Sequence, residues 1–254
     1  MNNSKKQKII NYYVNVITTE SLLNEVKKFS ISDEGHYICV PAVHQIIESY
    51  NDEEFAKVAN NADLALPDGR PVYWALKLLN HKDVDHLPGY YVTKKICKFA
   101  VDNNFKVGFY GGEVQTLNKC MANLKNEFKD LQINYSYSPP FRTLSDEEKN
   151  EIINNINNSE VKILFVCLGC PKQEYWMAEH KKLLSCTSIG IGAAIEFIAG
   201  TKTLGPKWIH KIGLFWFIRL ISEPRRLFWR YFSTNFKFIY LFLKQYIKYK
   251  IKLK

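Results

Sequence analysis

The stretch VKILFVCLGCPKQEYWMAEH, residues 161–180, constrains the fold of this chain more than any other. Apolar, mostly β-favouring residues run from 161 to 168, stop at Gly169 and give way after Cys170 and Pro171 to helical spacing. That pattern reads as a buried strand, a tight turn and a helix with proline in its first turn. In an α/β sheet such a corner is where ligands collect. The first N–H groups of the helix have no partner within it and carry partial positive charge, so a diphosphate is a natural guest. Lys172, Gln173 and Glu174 fall at the mouth of the corner. They are also ordinary first-turn helix residues, and this stretch alone fits a site or plain scaffold.

The same alternation recurs along the chain. Residues 8–19 are rich in β-formers and lead into a helix at SLLNEVKKFS, with Ser21 as its N-cap. HYICV and ADLAL read as strands, and each is followed by helical spacing; His44, just past the first, suits a capping or core role. FKVGFYGGEVQTLNKC reads as a strand, the pair Gly111-Gly112 and a helix. Paired glycines let a backbone approach a phosphate or ribose closely, or simply make a tight turn; the spacing is not GxGxxG, and a dinucleotide fingerprint is not supported. LSDEEKNEIINNINNS opens like a capping box, and CTSIGIGAAIEFIAG adds a strand, Gly190, Gly192 and a short helix. The expected fold is α/β, a mostly parallel, Rossmann-like sheet between two layers of helices, spanning residues 1–200.

Within that frame Asp68, in Pro67-Asp68-Gly69, stands at a strand's carboxyl end just before a helix. It suits a helix cap or turn, or a general base or ligand for sugar hydroxyls. Asp83-Val84-Asp85 is a DxD, a pattern that can hold a divalent ion but is common by chance. Cys167 and Cys170 form a lone CxxC with one cysteine inside a strand, and the six cysteines as a set read as reduced, mostly buried thiols.

From residue 201 the texture changes. Thirteen of the 35 lysines and arginines lie there against one acid, Glu223, whereas the first 200 residues carry 22 basic and 24 acidic side chains. The net charge of +10 therefore belongs to the last 54 residues, which also hold 14 aromatic side chains. Two or three helices are expected, punctuated by Pro224 and Asn235. Arginines on one helical face form a clamp for diphosphate or phospholipid, and the basic aromatic surface suits anionic headgroups or nucleic acid. No apolar run approaches the roughly 20 residues that span a bilayer, and MNNSKKQKIINYY lacks an apolar h-region and a cleavage site, so a cytoplasmic chain is expected.

The blocks ADLALPDGRPVYWALK, FYGG, LGCPKQEYWMAEH and GIGAAIEFIAGTKTLGPKWIHKIGLFWFIRLISEPRRLFWRYF together resemble the WecG/TagA/CpsF glycosyltransferase family (glycosyltransferase family 26), across about residues 36–240. The resemblance implies an inverting, metal-independent enzyme, with no cofactor, that moves an N-acetylhexosamine, typically N-acetylmannosamine, from a UDP-sugar to a polyprenyl-diphosphate-linked sugar. It further implies a peripheral protein on the inner face of the cell membrane, binding anionic lipid and no nucleic acid; whether the chain is a monomer or a homo-oligomer off the membrane is left open. Residues 201–254 would be an appendage that completes the site. By position, Asp68 matches the family's catalytic aspartate and Gln173 the glutamine of its PKQE block. Gly69, Gly111, Gly112, Gly169, Lys172, Glu174, Gly192, Arg219, Arg226 and Arg230 are the expected substrate contacts. The chain departs from the family in having Val40-Pro41-Ala42 where a T-P-N segment is common, and Tyr91 where an aspartate is common. A non-catalytic relative, or a nucleic-acid binder using the basic tail, are the rival readings.

Overall fold

The computed structural model describes residues 5–32, 34–206, 209, 213, 215–222 and 224–252. Its backbone packing forms two units that interleave in sequence: Met1–Thr19, Val40–Pro88 and Thr203–Lys254 make the first, Glu20–Cys39 and Gly89–Lys202 the second.

In the first unit the β-forming opening stretch makes an antiparallel hairpin of β1 (Lys6–Ile9) and β2 (Tyr12–Asn15), closed by the pair Ile9 and Tyr12. It packs with α2 (Val43–Asn51), α3 (Glu53–Asn60), the two-residue strand β4 (Leu64–Ala65) and α4 (Arg70–Leu78). The Asp52 side chain caps α3 by accepting from the amides of Glu54 and Phe55 at 2.8 and 3.0 Å. The C-terminal segment contributes α10 (Phe215–Ser222) and α11 (Pro224–Lys252). Helix α11 is unbroken through Asn235, contrary to the sequence expectation, because a single asparagine costs a helix under ~1 kcal/mol and α11 is supported by packing on α2. Phe238 and Phe242 are buried on that side. Beyond them Gln245 donates to the Lys8 carbonyl at 2.7 Å and accepts from the Ile10 amide at 2.8 Å, and the Tyr249 hydroxyl donates to the Leu79 carbonyl at 3.2 Å.

The second unit contains α1 (Thr19–Ile31), β3 (His36–Cys39), α5 (Gly89–Asp102), β5 (Val107–Gly111), α6 (Val114–Glu127), β6 (Ile133–Tyr137), α7 (Asp146–Asn158), β7 (Ile163–Cys167), α8 (Lys172–His180), β8 (Thr187–Gly190) and α9 (Ala194–Ile198). Helix α1 starts two residues before Ser21, which lies inside it; its first residue, Thr19, still belongs to the first unit and there donates both its amide and its hydroxyl to Asp85, each at 2.8 Å. Sequence could not show a cap supplied from 66 residues away. The capping box at Ser145 and Glu148 forms as expected.

The strands of this unit run parallel in the order β3-β8-β7-β5-β6. Both β5 and β7 are buried at every residue, as strands covered on two faces must be. Phe109 and Phe165, paired across them, pack with their rings tilted and centroids 5.0 Å apart. Right-handed crossovers put α6, between β5 and β6, on one face, and put α7 and α8, which lead back across the sheet, on the other. Bonds from Asn157 of α7 to Leu183 and Ser185, just past α8, agree with a shared face. The three-layer α/β expectation holds. No described helix is long and apolar enough to cross a membrane.

Candidate functional site

Strand order fixes where the second unit can bind a ligand. From β5 the chain moves outward to β6; from β7 it moves the opposite way to β8. The two connections leave adjacent strands in opposite directions, which opens a crevice at the carboxyl ends of β5 and β7. Gly111-Gly112 and Gly169 sit on either side of it, with Gly111 paired to Cys167.

The glycines there are required by conformation and by space. Gly111 and Gly112 have φ of +100° and +81°; a Cβ on Gly112 would come within 2.3 Å of Ile195 Cδ1, and one on Gly111 within 2.9 Å of the Cys167 backbone. Gly169, at φ +78°, faces open space. Here the backbone is left-handed and a side chain would project into the crevice. Neither Glu113, which precedes α6, nor Pro171, which precedes α8, makes a side-chain cap; in α8 the Gln173 amide already donates to the Gly169 carbonyl at 2.9 Å, so the opening turn of α6 is the better placed of the two to receive an anion.

The polar trio divides. Lys172 is exposed, while Gln173 and Glu174 are 2% and 0% exposed, so they lie beneath the mouth of the corner and not at it. The reason is Gly190: lacking a side chain, it lets the Gln173 amide lie on it, since a Cβ there would stand 2.9 Å from Nε2. Gln173 Nε2 donates to Glu174 Oε1 at 2.9 Å, and its Oε1 has no hydrogen-bond partner among the described residues. Gly192 completes this edge, with an added Cβ 3.4 Å from Gln173 Oε1.

Sequence reading missed an aromatic ladder beside the crevice. Tyr110 lies between Tyr137 and Trp176, at 6.3 and 4.4 Å between centroids, and Trp176 stacks on His180 at 4.7 Å. Burial and the neighbouring Tyr137 push the Tyr110 phenol up to about 12, so it stays a neutral donor. The signal was present in the FYGG block, whose tyrosine had no assigned role.

In the first unit Asp68 follows β4, half-buried. Its amide donates to the Pro41 carbonyl at 3.3 Å, and Gly69 begins α4 with Pro71 in the first turn. A Cβ on Gly69 would lie 3.5 Å from Ala42 Cα, so Val40-Pro41-Ala42 stands directly beside Pro67-Asp68-Gly69. The departure from the family pattern is therefore next to the presumed base. Tyr91, the other departure, lies on α5 under the Lys95 ammonium at 5.4 Å. Asp85 of the DxD serves α1 as described above, and among the described residues no three His, Cys, Asp or Glu side chains gather as a metal site. Arg219 lies on α10 and Arg226 and Arg230 on α11, but their side chains are outside the described residues. Five cysteines are buried and Cys170 is partly exposed, with no disulfide among them.

Comparison with known proteins bears on what this arrangement does. The model of the glycosyl transferase WecG/TagA/CpsF family matches residues 7–252. Three similar proteins carry the name N-acetylglucosaminyldiphosphoundecaprenol N-acetyl-beta-D-mannosaminyltransferase. That of Bacillus subtilis (strain 168) is 24% identical over 92% of this chain and 89% of its own length. The Bacillus spizizenii protein is 25% identical over 84% and 80%, and that of Staphylococcus aureus (strain MW2) 22% over 99% and 96%.

Proposed function

The chain belongs to the WecG/TagA/CpsF glycosyltransferase family, and from that premise we propose that it moves an N-acetylhexosamine, N-acetylmannosamine before others, from a UDP-sugar onto a polyprenyl-diphosphate-linked sugar. The observation that carries this reading is the glycine-lined crevice between β5 and β7, with a buried amide at its edge, in a chain matched to the family over almost its full length. The names of the three relatives support a lipid-linked acceptor and a mannosaminyl group.

The mechanism is a direct displacement with inversion at the anomeric carbon. Asp68 takes the proton from the acceptor hydroxyl, a step worth about 10²–10⁴-fold when the base is well placed. The leaving UDP gathers negative charge, which the first-turn amides of α6 and α8 stabilise without a metal ion, joined by Arg219, Arg226 and Arg230 from the appendage 201–254. Gln173 holds a hydroxyl or amide of the substrate. The same appendage docks the enzyme on the cytoplasmic face of the membrane, where the lipid-linked acceptor resides, and the product serves a bacterial surface polysaccharide or teichoic acid.

The test is UDP release from UDP-N-acetylmannosamine and UDP-N-acetylglucosamine, with a short-chain prenyl-diphosphate N-acetylglucosamine acceptor and EDTA. Wild type should turn over one donor only when acceptor is present, and Asp68→Ala should lose at least about a hundredfold in kcat. Full activity in Asp68→Ala would remove it as the base. A wild type that binds UDP yet transfers from neither donor favours the second reading, a binding relative, for which Ala42 beside Asp68 is the motivating observation.

A further inference from the structure

We propose that Glu174 is a positioning residue: it fixes the Gln173 amide so that the carbonyl faces the ligand, and the corner thereby selects a hydrogen-bond donor, an N–H or O–H, on what binds there. The proposal rests on the glycosyl-transfer reading and specifies which part of the substrate this edge contacts.

The two side chains are neighbours on the first turn of α8 and both are buried. A carboxylate offers lone pairs and an amide NH2 offers protons, so they meet in one sense, with Nε2 donating to Glu174 Oε1 at 2.9 Å. The positive end of α8 favours the carboxylate in that place. Gln173 Oε1 is thereby turned the other way, and it finds no hydrogen-bond partner among the described residues. It points toward Gly192, where an added Cβ would be 3.4 Å from it and 3.9 Å from Gly169 Cα. A buried carbonyl with no partner is unfavourable until something donates to it. Ionised phosphate oxygens only accept and are disfavoured beside it, whereas a sugar hydroxyl, an acetamido N–H or a uracil N–H satisfies it. Gln173 therefore contacts the sugar or the base, and the diphosphate lies with the helix amides. Were Glu174 neutralised to an amide, Gln173 could present either edge, and the preference for a donor would relax.

The test uses the full chain labelled with 15N-glutamine, with the Gln173 side-chain signal identified by its loss in Gln173→Met. One of its two amide protons should be shifted downfield and slow to exchange, and Glu174→Gln should abolish this with a thermal midpoint within a few degrees of wild type. In the UDP-release assay Glu174→Gln should lose about ten- to hundredfold in kcat/KM, the usual cost of one charge-assisted hydrogen bond. The exchanged pair Gln173→Glu with Glu174→Gln should recover most of it, because the new carboxylate at 173 accepts from the new amide at 174 and keeps an acceptor toward the ligand. If Glu174→Gln does not fold, the wild-type signal and the exchanged pair decide. A wild-type signal with both protons unshifted, wild-type kcat/KM in Glu174→Gln, or an exchanged pair no better than Gln173→Met would overturn the proposal. If wild type itself releases no UDP, the transfer reading fails, and the amide signal still judges the pair.

Discussion

At the scale of single residues the site depends on positions with no side chain. Gly112 and Gly169 both have positive φ, yet they predict different variants. Gly112→Ala adds a collision with Ile195 to the backbone cost and should lower stability by more than the ~1–2 kcal/mol that a left-handed alanine brings alone. Gly169→Ala pays only the backbone cost, but its methyl enters the crevice, so UDP affinity should fall more than the thermal midpoint does. Differential scanning fluorimetry with and without UDP separates the two, and equal behaviour in both assays would refute the assignment of open space at Gly169 to a ligand. Thiols provide a second check. Burial pushes Cys120 and Cys186 up to about 12 and raises Cys97 and Cys167 as well, so at pH 7.5 these remain protonated and unreactive. Iodoacetamide should modify Cys170 first and the others only on unfolding, as read by mass spectrometry of tryptic peptides; bound UDP should slow the Cys170 reaction.

At the scale of elements, α11 presents two faces. Phe238, Phe242, Gln245 and Tyr249 turn toward the rest of the first unit, while Trp229, Phe232, Phe236, Tyr240, Leu243, Ile247 and Ile251, three or four residues apart, form an exposed apolar stripe. At 1.5 Å per residue the stripe from Trp229 to Ile251 is ~33 Å long, and a stripe of that reach flanked by lysines suits the plane of a bilayer surface. Replacing Trp229, Phe232 and Phe236 together by serine should reduce sedimentation with anionic vesicles at least tenfold and leave the fold intact by circular dichroism; unchanged sedimentation would assign the stripe another role. The strand-turn-helix corners were readable in the sequence because buried parallel strands are near-continuous apolar runs and glycine marks the turns where φ must be positive. What escaped reading depends on distant residues: the Asp85 cap of Thr19, the packing that carries α11 through Asn235, and the burial of Gln173 and Glu174, which depends on the missing side chain at Gly190. Patterns along a chain report local conformation, and these three are set by partners brought near only by folding.

At the scale of the whole molecule, charge and chain order matter together. The positive excess lies after residue 200, so vesicle binding should weaken as salt rises past the point where the screening length is about 8 Å, at 0.15 M; binding indifferent to salt would mean that the apolar stripe acts alone. The interleaving of the two units has a further result, which concerns synthesis. Every segment of the second unit has been made by Lys202, whereas the first unit, although it includes the chain's opening hairpin, has to wait for the segment that starts at Thr203. A nascent chain growing at about 5–20 residues per second folds what is complete. The second unit can close while translation continues, and α2 lacks its cover until α11 arrives. The helix with the exposed apolar stripe thus leaves the ribosome after the second unit is complete and finishes the unit that was begun earlier.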